Sequence, residues 1–419
     1  MHFNKKAFVI VDGYSTGRFL APFINANGYS SIHVQSSKNI IPAYLPSFTE
    51  SNFIKNIAYD GDIKPILDYL DKFEIIAVIP GTETGVHLAD LLSNALGLNS
   101  SNSLQLSVAR RNKFDMVNCL AKYDIPHAKS FQSNNLDEII KWVNEYQQFP
   151  VVVKPLSSAG SDGVKICNNV AEITDAFNGI INVSDIFNEI NTIVMVQQYL
   201  DGEEYIVNTV SQFGEHVVVD IWRKFKNKVE GIPINDYAEI VEPSEQAYEV
   251  LTTYVFKVLD ALEMKFGAGH SEVMMTKDGP VLIETAARLE GSIDPSAVNE
   301  AVERNQVKCL VDSYIINKAE FLQTYSTANA IKKYARHTFL AASCDGKITK
   351  QPDLAPIINL PSFHSLSFRF ELGDIMVKTT SLADFPGFVY LVSEDKQQVE
   401  KDYKILRQHE KTLYSDMRG

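Results

Sequence analysis

Over its first hundred residues the chain alternates short apolar runs with amphipathic stretches, and few folds accept that pattern. Ala7–Val11 is a purely apolar run that ends at Asp12-Gly13, and it reads as a strand buried on both faces. The loop Asp12–Gly17, a helix over Arg18–Asn27 and a strand at Ser31–Gln35 follow. A helix at Ile63–Lys72, a strand at Ile75–Pro80 and a helix at Thr84–Leu96, stopped by Gly97, complete the unit. Parallel strands need crossovers that cover the sheet, so residues 1–103 are predicted to form a parallel sheet between helices. Ala7–Val11 is too short for a signal-peptide core, despite Lys5 and Lys6 before it. No apolar stretch reaches the roughly 18 residues that a membrane helix needs.

Past the polar linker Ser100–Ser103 a second unit opens with a helical pattern over Leu104–Tyr123. A strand at Ala128–Phe131, a helix at Leu136–Tyr146 and strands at Val151–Lys154 and Val164–Cys167 come next. From Ile193 the reading turns strand-rich, with Ile193–Gln198, Glu204–Gln212 and His216–Arg223 broken by Asp201-Gly202 and Phe213-Gly214. Glu245–Lys265 is helical, and Gly269–Thr276 with Val281–Ala287 reads as a hairpin. The tail mixes short strands with a last helix near Glu394–Lys411. At roughly 150 residues per domain, 419 residues imply about three domains, placed at 1–103, 104–198 and 199–419.

A net charge of −13 argues against a nucleic-acid or anionic-membrane partner, since polyanions attract basic surfaces. Cys119, Cys167, Cys309 and Cys344 are scattered, with no CxxC pair, so neither a disulfide framework nor a zinc site is expected. A reduced, cytoplasmic protein is the expectation.

The strongest local signal for chemistry is Lys154-Pro155-Leu156-Ser157-Ser158-Ala159-Gly160-Ser161-Asp162-Gly163-Val164. A lysine ends a buried strand, and a loop of small residues leads to the next. Such a loop lets backbone N–H groups and hydroxyls approach phosphate oxygens, while the lysine supplies a point charge. The alternative is a plain hairpin loop. The segment is no Walker A loop, because the GK[ST] ending is missing.

Glu272 and Glu284 stand in apolar surroundings on the two strands of the predicted hairpin, where unpaired charges are costly. Facing carboxylates suit magnesium, which takes carboxylate and phosphate oxygens. A two-residue turn at Asp278-Gly279 would put Glu272 opposite Thr285, on the wrong face for a shared site. A three-residue loop, Lys277–Gly279, would put it opposite Glu284. An odd-length loop or a bulge is therefore predicted. The competing reading is two edge glutamates paired with lysines. Arg288 lies four residues after Glu284 on the same strand face and could clamp a phosphoryl oxygen, or simply pair with Glu284.

Taken singly, Lys113 in Ala109-Arg110-Arg111-Asn112-Lys113-Phe114-Asp115-Met116 reads as a solvated lysine. The junction Gln197-Gln198-Tyr199-Leu200-Asp201-Gly202-Glu203-Glu204 offers exposed backbone for an adenine edge and a carboxylate for ribose. In this order the segments resemble the ATP-grasp carboxylate–amine ligases over about Ala109–Gly291. The resemblance implies an α/β (α+β ATP-grasp) fold, with a parallel N-terminal domain, a small central domain and a C-terminal antiparallel-sheet domain. The nucleotide lies between the last two. It implies that Lys113 and Lys154 contact phosphates under a mobile loop carrying Ser157, Ser158, Gly160, Ser161 and Gly163. Gln197, Gln198, Tyr199 and Leu200 correspond to the adenine hinge and Glu204 to the ribose carboxylate. Glu272 and Glu284 correspond to the magnesium ligands, for two ions or for manganese, and Arg288 to the arginine at the transferred phosphoryl group.

His270-Ser271-Glu272-Val273 and Ile283-Glu284-Thr285-Ala286-Ala287-Arg288 look most like the L-amino-acid ligases, which make dipeptides. Val11-Asp12-Gly13-Tyr14-Ser15-Thr16-Gly17 and Phe385-Pro386-Gly387-Phe388-Val389-Tyr390-Leu391 also resemble that group. The sequence departs from the superfamily pattern at Ala286, often Asn, and at Gln197, usually acidic. The implied reaction joins a carboxylate, activated by ATP as an acyl phosphate, to an amine. Glu83 is a candidate for the donor's ammonium group, or else a helix cap. His270 and Gly291 are further substrate-side candidates, with a satisfied core histidine as the alternative for His270, and Met274-Met275 reads as core. Small molecules are the expected partners, and a homodimer is the candidate assembly. The rivals are an ATP-grasp ligase with another carboxylate or nucleophile, and a nucleotide-binding regulator without turnover.

Overall fold

The N-terminal alternation becomes a four-stranded parallel sheet in the order Lys55–Ala58, Ser30–Gln35, Lys5–Val11, Phe73–Pro80. The computed structural model describes residues 5–418 other than 159, 161, 230–231, 329 and 381–383, and no side chain of 228–233. Ala7, Val9 and Val11 pack with Ile66, Leu70, Leu88 and Leu92 on one face. Phe8 and Ile10 pack with Leu20, Ile24 and Leu310 on the other. The apolar run is continuous because helices cover both faces. One covering helix, Gln306–Ile315, comes from far along the chain. The edge strand Lys55–Ala58 escapes sequence reading because its residues are half or fully exposed, with no apolar period.

The sheet's strand order reverses beside Lys5–Val11, whose neighbours are Ser30–Gln35 on one side and Phe73–Pro80 on the other. Loops leaving the C-terminal ends of these strands part there and leave a crevice. The backbones crowd at its floor. A side chain at Gly81 would come within 2.4 Å of the Asp12 carbonyl oxygen, so only glycine fits.

A second sheet runs Ser130–Ser133, Val194–Gln198, Val151–Pro155, Lys165–Cys167, antiparallel throughout. Ile139 and Val143 of helix Leu136–Tyr146 and Ile173 and Phe177 of helix Val170–Ile180 pack against Val151, Val153 and Val196. The third sheet has eight antiparallel strands, in the order Gly279–Ala286, Gly267–Thr276, Glu203–Gln212, Glu215–Val229, Ile232–Ile240, Tyr334–Leu340, Gly387–Ser393, Phe363–Phe368. The tail strands thus extend this sheet. The helix Gln246–Ala261 packs on it through Leu251, Val255 and Val258. Among the described residues no helix is long and apolar enough to cross a membrane, and all four cysteines are free.

The single helix expected over Leu104–Tyr123 is corrected. Leu104–Leu106 forms one 3₁₀ turn, and the α-helix starts only at Lys113. The Asn112 side chain accepts from the N–H groups of Phe114 and Asp115 at 2.9 and 3.1 Å, which caps the helix there. Arg110, fully buried in the preceding turns, donates to Asp90 Oδ2 at 2.8 Å and to the carbonyls of Ser103 and Leu262. It ties the N-terminal unit, the linker and helix Gln246–Ala261 together. Arg110→Ala leaves the Asp90 carboxylate without its counter-charge, with only the Ser107 hydroxyl donating to it at 2.7 Å, and should cost about 3–5 kcal/mol. Calorimetry will show a clearly lower melting temperature. An unchanged one contradicts this account of the joint.

Candidate active site

Glu272 and Glu284 ride on the paired strands Gly267–Thr276 and Gly279–Ala286. The chain reverses through two residues, Lys277 and Asp278, with Thr276 opposite Gly279. Left uninterrupted, that register would set Glu272 across from Ile283. A bulge beside Val273 shifts it by one residue, and Glu272 pairs directly with Glu284. Of the two routes to a shared face, the chain takes the bulge.

Each carboxylate already has a lysine. Glu284 Oε2 lies 2.9 Å from Lys113 Nζ. Burial pushes its pKa up, but Lys113 and then Lys154 outweigh burial and hold it at about 2. Glu272 Oε1 lies 3.2 Å from Lys224 Nζ. Burial raises its pKa, and the nearby Glu204 and Glu284 carboxylates add to the rise, so Lys224 does not bring it back to the usual range. This like-charge crowding is what a divalent cation relieves. Among the described residues no cluster of three His, Cys, Asp or Glu is arranged to hold a metal. Two carboxylates suit magnesium, which completes its shell with water and phosphate oxygens.

Lys154 is the next-to-last residue of the strand Val151–Pro155 and is buried, 4% exposed. Burial, with Lys113 beside it, pushes its pKa down to about 8 against the pull of Glu284 and Glu272. Lys113 opens its helix and pins the loop. Its N–H donates to the Leu156 carbonyl at 3.0 Å, and its Nζ to the Ser158 carbonyl at 2.8 Å. Ser158 Oγ donates to Asp162 Oδ2 at 2.8 Å. Ser157, Ser158 and Gly160 face the cleft. Gly163 does not. It lies against Pro155 and lines a separate groove with Lys165 and Ile180. Ser161 lies outside the described residues.

Between the second and third sheets runs a cleft of about 180 Å³. Val152, Val164 and Ile166 form one wall, and Met274 and Ile283 the other. Gln197, Gln198, Tyr199 and Leu200 close one end. Gln197 Nε2 donates to Ser130 Oγ, and the Gln198 N–H to the Lys129 carbonyl, so neighbouring chain holds the hinge. A side chain at Gly202 would come within 2.1 Å of the Met275 carbonyl oxygen, so the turn after the hinge can press on the hairpin only as glycine. Glu204 reaches the cleft and pairs with Lys224 and, at 2.6 Å, with Lys226. Burial raises its pKa, but the two lysines dominate and hold it at about 2.

At its other end the cleft narrows to a neck of about 20 Å³, lined by Lys113, Ser157, Ser158 and Glu284 with Glu83, Arg111 and Arg288. Arg288 Nε lies 3.2 Å from Glu83 Oε2, so its carboxylate partner is Glu83, not Glu284. Glu83 opens a short 3₁₀ turn whose N-cap residue, Thr82, makes no side-chain capping hydrogen bond, and its own carboxylate goes to Arg288. His270 is buried, with Nδ1 at 3.1 Å from Asn208 Oδ1. The Asn208 amide nitrogen serves Asp220 and Glu290, both at 2.6 Å, so its oxygen accepts from His270. Burial, and then Arg288, push His270 down to about 3, which leaves it neutral. It is a satisfied histidine behind the site, 3.9 Å from Glu272. The Gly291 carbonyl accepts from Ser15 Oγ and links the arginine segment to the N-terminal loop.

Sequence reasoning missed Lys224, Lys226 and Arg111, and it misassigned Met274, which lines the cleft while Met275 packs on the core. Lys224 and Lys226 stand two apart on a strand, a spacing that puts both on one face and could have exposed them.

The ATP-grasp domain family matches residues 147–295. Dapdiamide A synthase of Enterobacter agglomerans is 32% identical over 420 residues, covering 98% of this chain and 97% of that one. Among solved structures, L-amino acid ligase from Bacillus licheniformis superposes with a TM-score of 0.77 at 17% identity, over 98% of both chains. Carboxyaminoimidazole ribonucleotide synthase from Aspergillus clavatus gives 0.70 at 15% identity, over 98% of this chain and 99% of that one. At such identities these two speak for the fold alone. The first relative, matched along nearly the whole of both chains, carries the family: this chain belongs to the ATP-grasp carboxylate–amine ligases.

Proposed function

We propose that the chain activates the carboxylate of an L-amino acid with ATP and joins it to the amine of a second substrate, forming a dipeptide or a related amide. The observation that carries this is the convergence of Lys113, Lys154, Glu284 and Arg288 at or beside one neck between a nucleotide-sized cleft and an open crevice. Adenine would lie against Gln197–Leu200 with its ribose toward Glu204, and the triphosphate would run to Lys154 and Lys113. The carboxylate oxygen attacks the γ-phosphorus, the bond to the β-phosphate oxygen breaks, and ADP leaves. The amine nitrogen then attacks the acyl carbon, with inorganic phosphate and a proton released. Glu272 and Glu284 would hold magnesium, which when bound neutralises phosphate charge. Lys113 and Lys154 neutralise the groups that are not transferred, and Arg288 faces the oxygens that gain charge. The loop from Ser157 would keep water from the activated carboxylate. Glu83, held by Arg288, would receive the donor's ammonium group.

The likeness to dapdiamide A synthase along nearly the whole of both chains supports amide formation over the carboxylase-like alternative. A phosphate-release screen over pairs of amino acids, with product masses measured, tests the reading. ATP binding without ADP release across a full panel would support a regulator instead.

A pH effect follows from Lys154. Its pKa lies near 8, so it is charged below that pH and neutral above it. In the free enzyme kcat/KM for ATP should fall as pH rises through about 8. Bound triphosphate favours the charged amine, so kcat should hold to higher pH. A kcat/KM for ATP that is flat from about pH 7 to 9 contradicts this role.

A further inference from the structure

The two sides of the neck are bordered differently. Toward the nucleotide cleft stand Lys113, Ser158 and Glu284, all of them polar. On the other side the neck opens into a crevice of about 350 Å³, and there Arg111 and Phe187 border both spaces. Among the described residues Phe187 is thus the one apolar side chain that lines neck and crevice together. The neck, about 20 Å³, has room for little more than one water. An acyl phosphate is larger, so the proposed reaction requires the neck to widen and part of its rim to give way.

Phe187 is the side chain suited to that. It is 9% exposed, yet it belongs to none of the apolar clusters that form the cores of the chain. Shifting its ring therefore breaks no core. The residue sits on a small excursion, Asn182–Asn191, between helix Val170–Ile180 and strand Val194–Gln198. The Asn182 N–H donates to the Asn191 carbonyl at 2.7 Å and the Asp185 N–H to the Glu189 carbonyl at 2.9 Å, which closes the excursion on itself. Inside it, Asp185 Oδ1 accepts from the N–H groups of Phe187 and Glu189 at 2.8 and 2.9 Å and braces the backbone under the ring. The excursion buries Phe187 and this brace but leaves Val183 and Ile190 exposed. The Ile186 N–H reaches out to Asp162 Oδ2 at 3.3 Å, the oxygen that also accepts from Ser158 Oγ. One carboxylate thus joins the loop from Ser157 to the turn that carries Phe187.

We propose that Phe187 seals the crevice side of the neck while the acyl phosphate exists, so that the amine and not water reaches the activated carboxylate. This deepens the ligase reading above and rests on it. Ser157 and Ser158 line the neck but not the crevice, so the loop that carries them guards the nucleotide side and leaves the other side to Phe187. The step to be prevented is hydrolysis. A water oxygen attacks the acyl phosphate, the bond joining carboxyl to phosphoryl breaks, and the free amino acid, inorganic phosphate and a proton leave. An apolar ring at the mouth keeps water out of the site and suppresses that side reaction. Through Asp162, closure over the triphosphate and sealing of the crevice side become one movement.

The test takes the pair of amino acids that gives most amide in the screen above, at saturating ATP, and measures inorganic phosphate and amide in the same reaction. The parent should release about one phosphate per amide, and Phe187→Ala at least about threefold more. This ratio does not depend on how much of a variant is folded, so a loss of stability alone cannot move it. Phe187→Leu, which keeps an apolar plug, should bring the ratio back toward the parent's. Asp185→Ala, which removes the brace under the ring, should raise it. The extra phosphate should require the donor. A Phe187→Ala ratio equal to the parent's overturns the inference and leaves the ligase reading standing. So does extra phosphate released from ATP without donor, a change only in which donors react, or a Phe187→Ala variant that fails to fold. No ADP release with any pair overturns both.

Discussion

Lys154→Met will lower amino-acid-driven ADP release by roughly 10²–10³-fold, the range found when one preorganised donor is removed from a transition-state site. Lys154 is the next-to-last residue of a buried strand at the cleft, within electrostatic reach of Lys113, Glu284 and Glu272. Its surroundings depress its charge, and a bound triphosphate would restore it. The interaction is therefore strongest when phosphate charge is greatest, and the loss should fall on kcat as well as on KM for ATP. Methionine keeps the length and apolar stem, so the fold should survive. Steady-state kinetics with ATP and the donor varied separately will make the comparison. A variant within a few-fold of the parent in kcat would remove Lys154 from the phosphate site.

Glu284→Gln should be at least as damaging, for two reasons that act together. It removes one of the two facing carboxylates, and it takes from Lys113 the partner at 2.9 Å. Lys113 also holds the Ser158 carbonyl, so the anchor of that loop is disturbed together with the proposed metal site. The neutral amide leaves Lys113 and Lys154 as neighbouring cations with less negative charge between them. ADP release should drop by about 10³-fold, and the concentration of magnesium needed for the residual rate should rise. Magnesium titrations of parent and variant will read both effects. A loss of rate with unchanged magnesium dependence would assign Glu284 to Lys113 and the loop instead of the metal.

Much of this site was legible because its residues break local rules. A lysine closing an apolar strand, a loop of serines and glycines after it, and two glutamates inside apolar strands each ask for a partner that the neighbouring sequence lacks. The facing of Glu272 and Glu284 was constrained in advance by strand alternation, although the choice of a bulge over an odd loop was not. The parallel N-terminal sheet was legible for the related reason that Ala7–Val11 has no polar face. What stayed hidden depends on distant chain. Lys224 and Lys226 become part of the site only because Glu204 and Glu272 arrive on adjacent strands. Arg110 looked like part of a helix, yet its place is set by Asp90 and Leu262, far away in sequence.

In the proposed reaction the carboxylate oxygen attacks the γ-phosphorus of ATP before the amine enters. Labelling both carboxylate oxygens of the donor with the heavy isotope and weighing the products by mass spectrometry reads that order of events. Transfer of one labelled oxygen to the released inorganic phosphate, with ADP formed in equal amount and the other label kept in the amide, is the predicted result. Phosphate free of label, or AMP and pyrophosphate in place of ADP and phosphate, would contradict it.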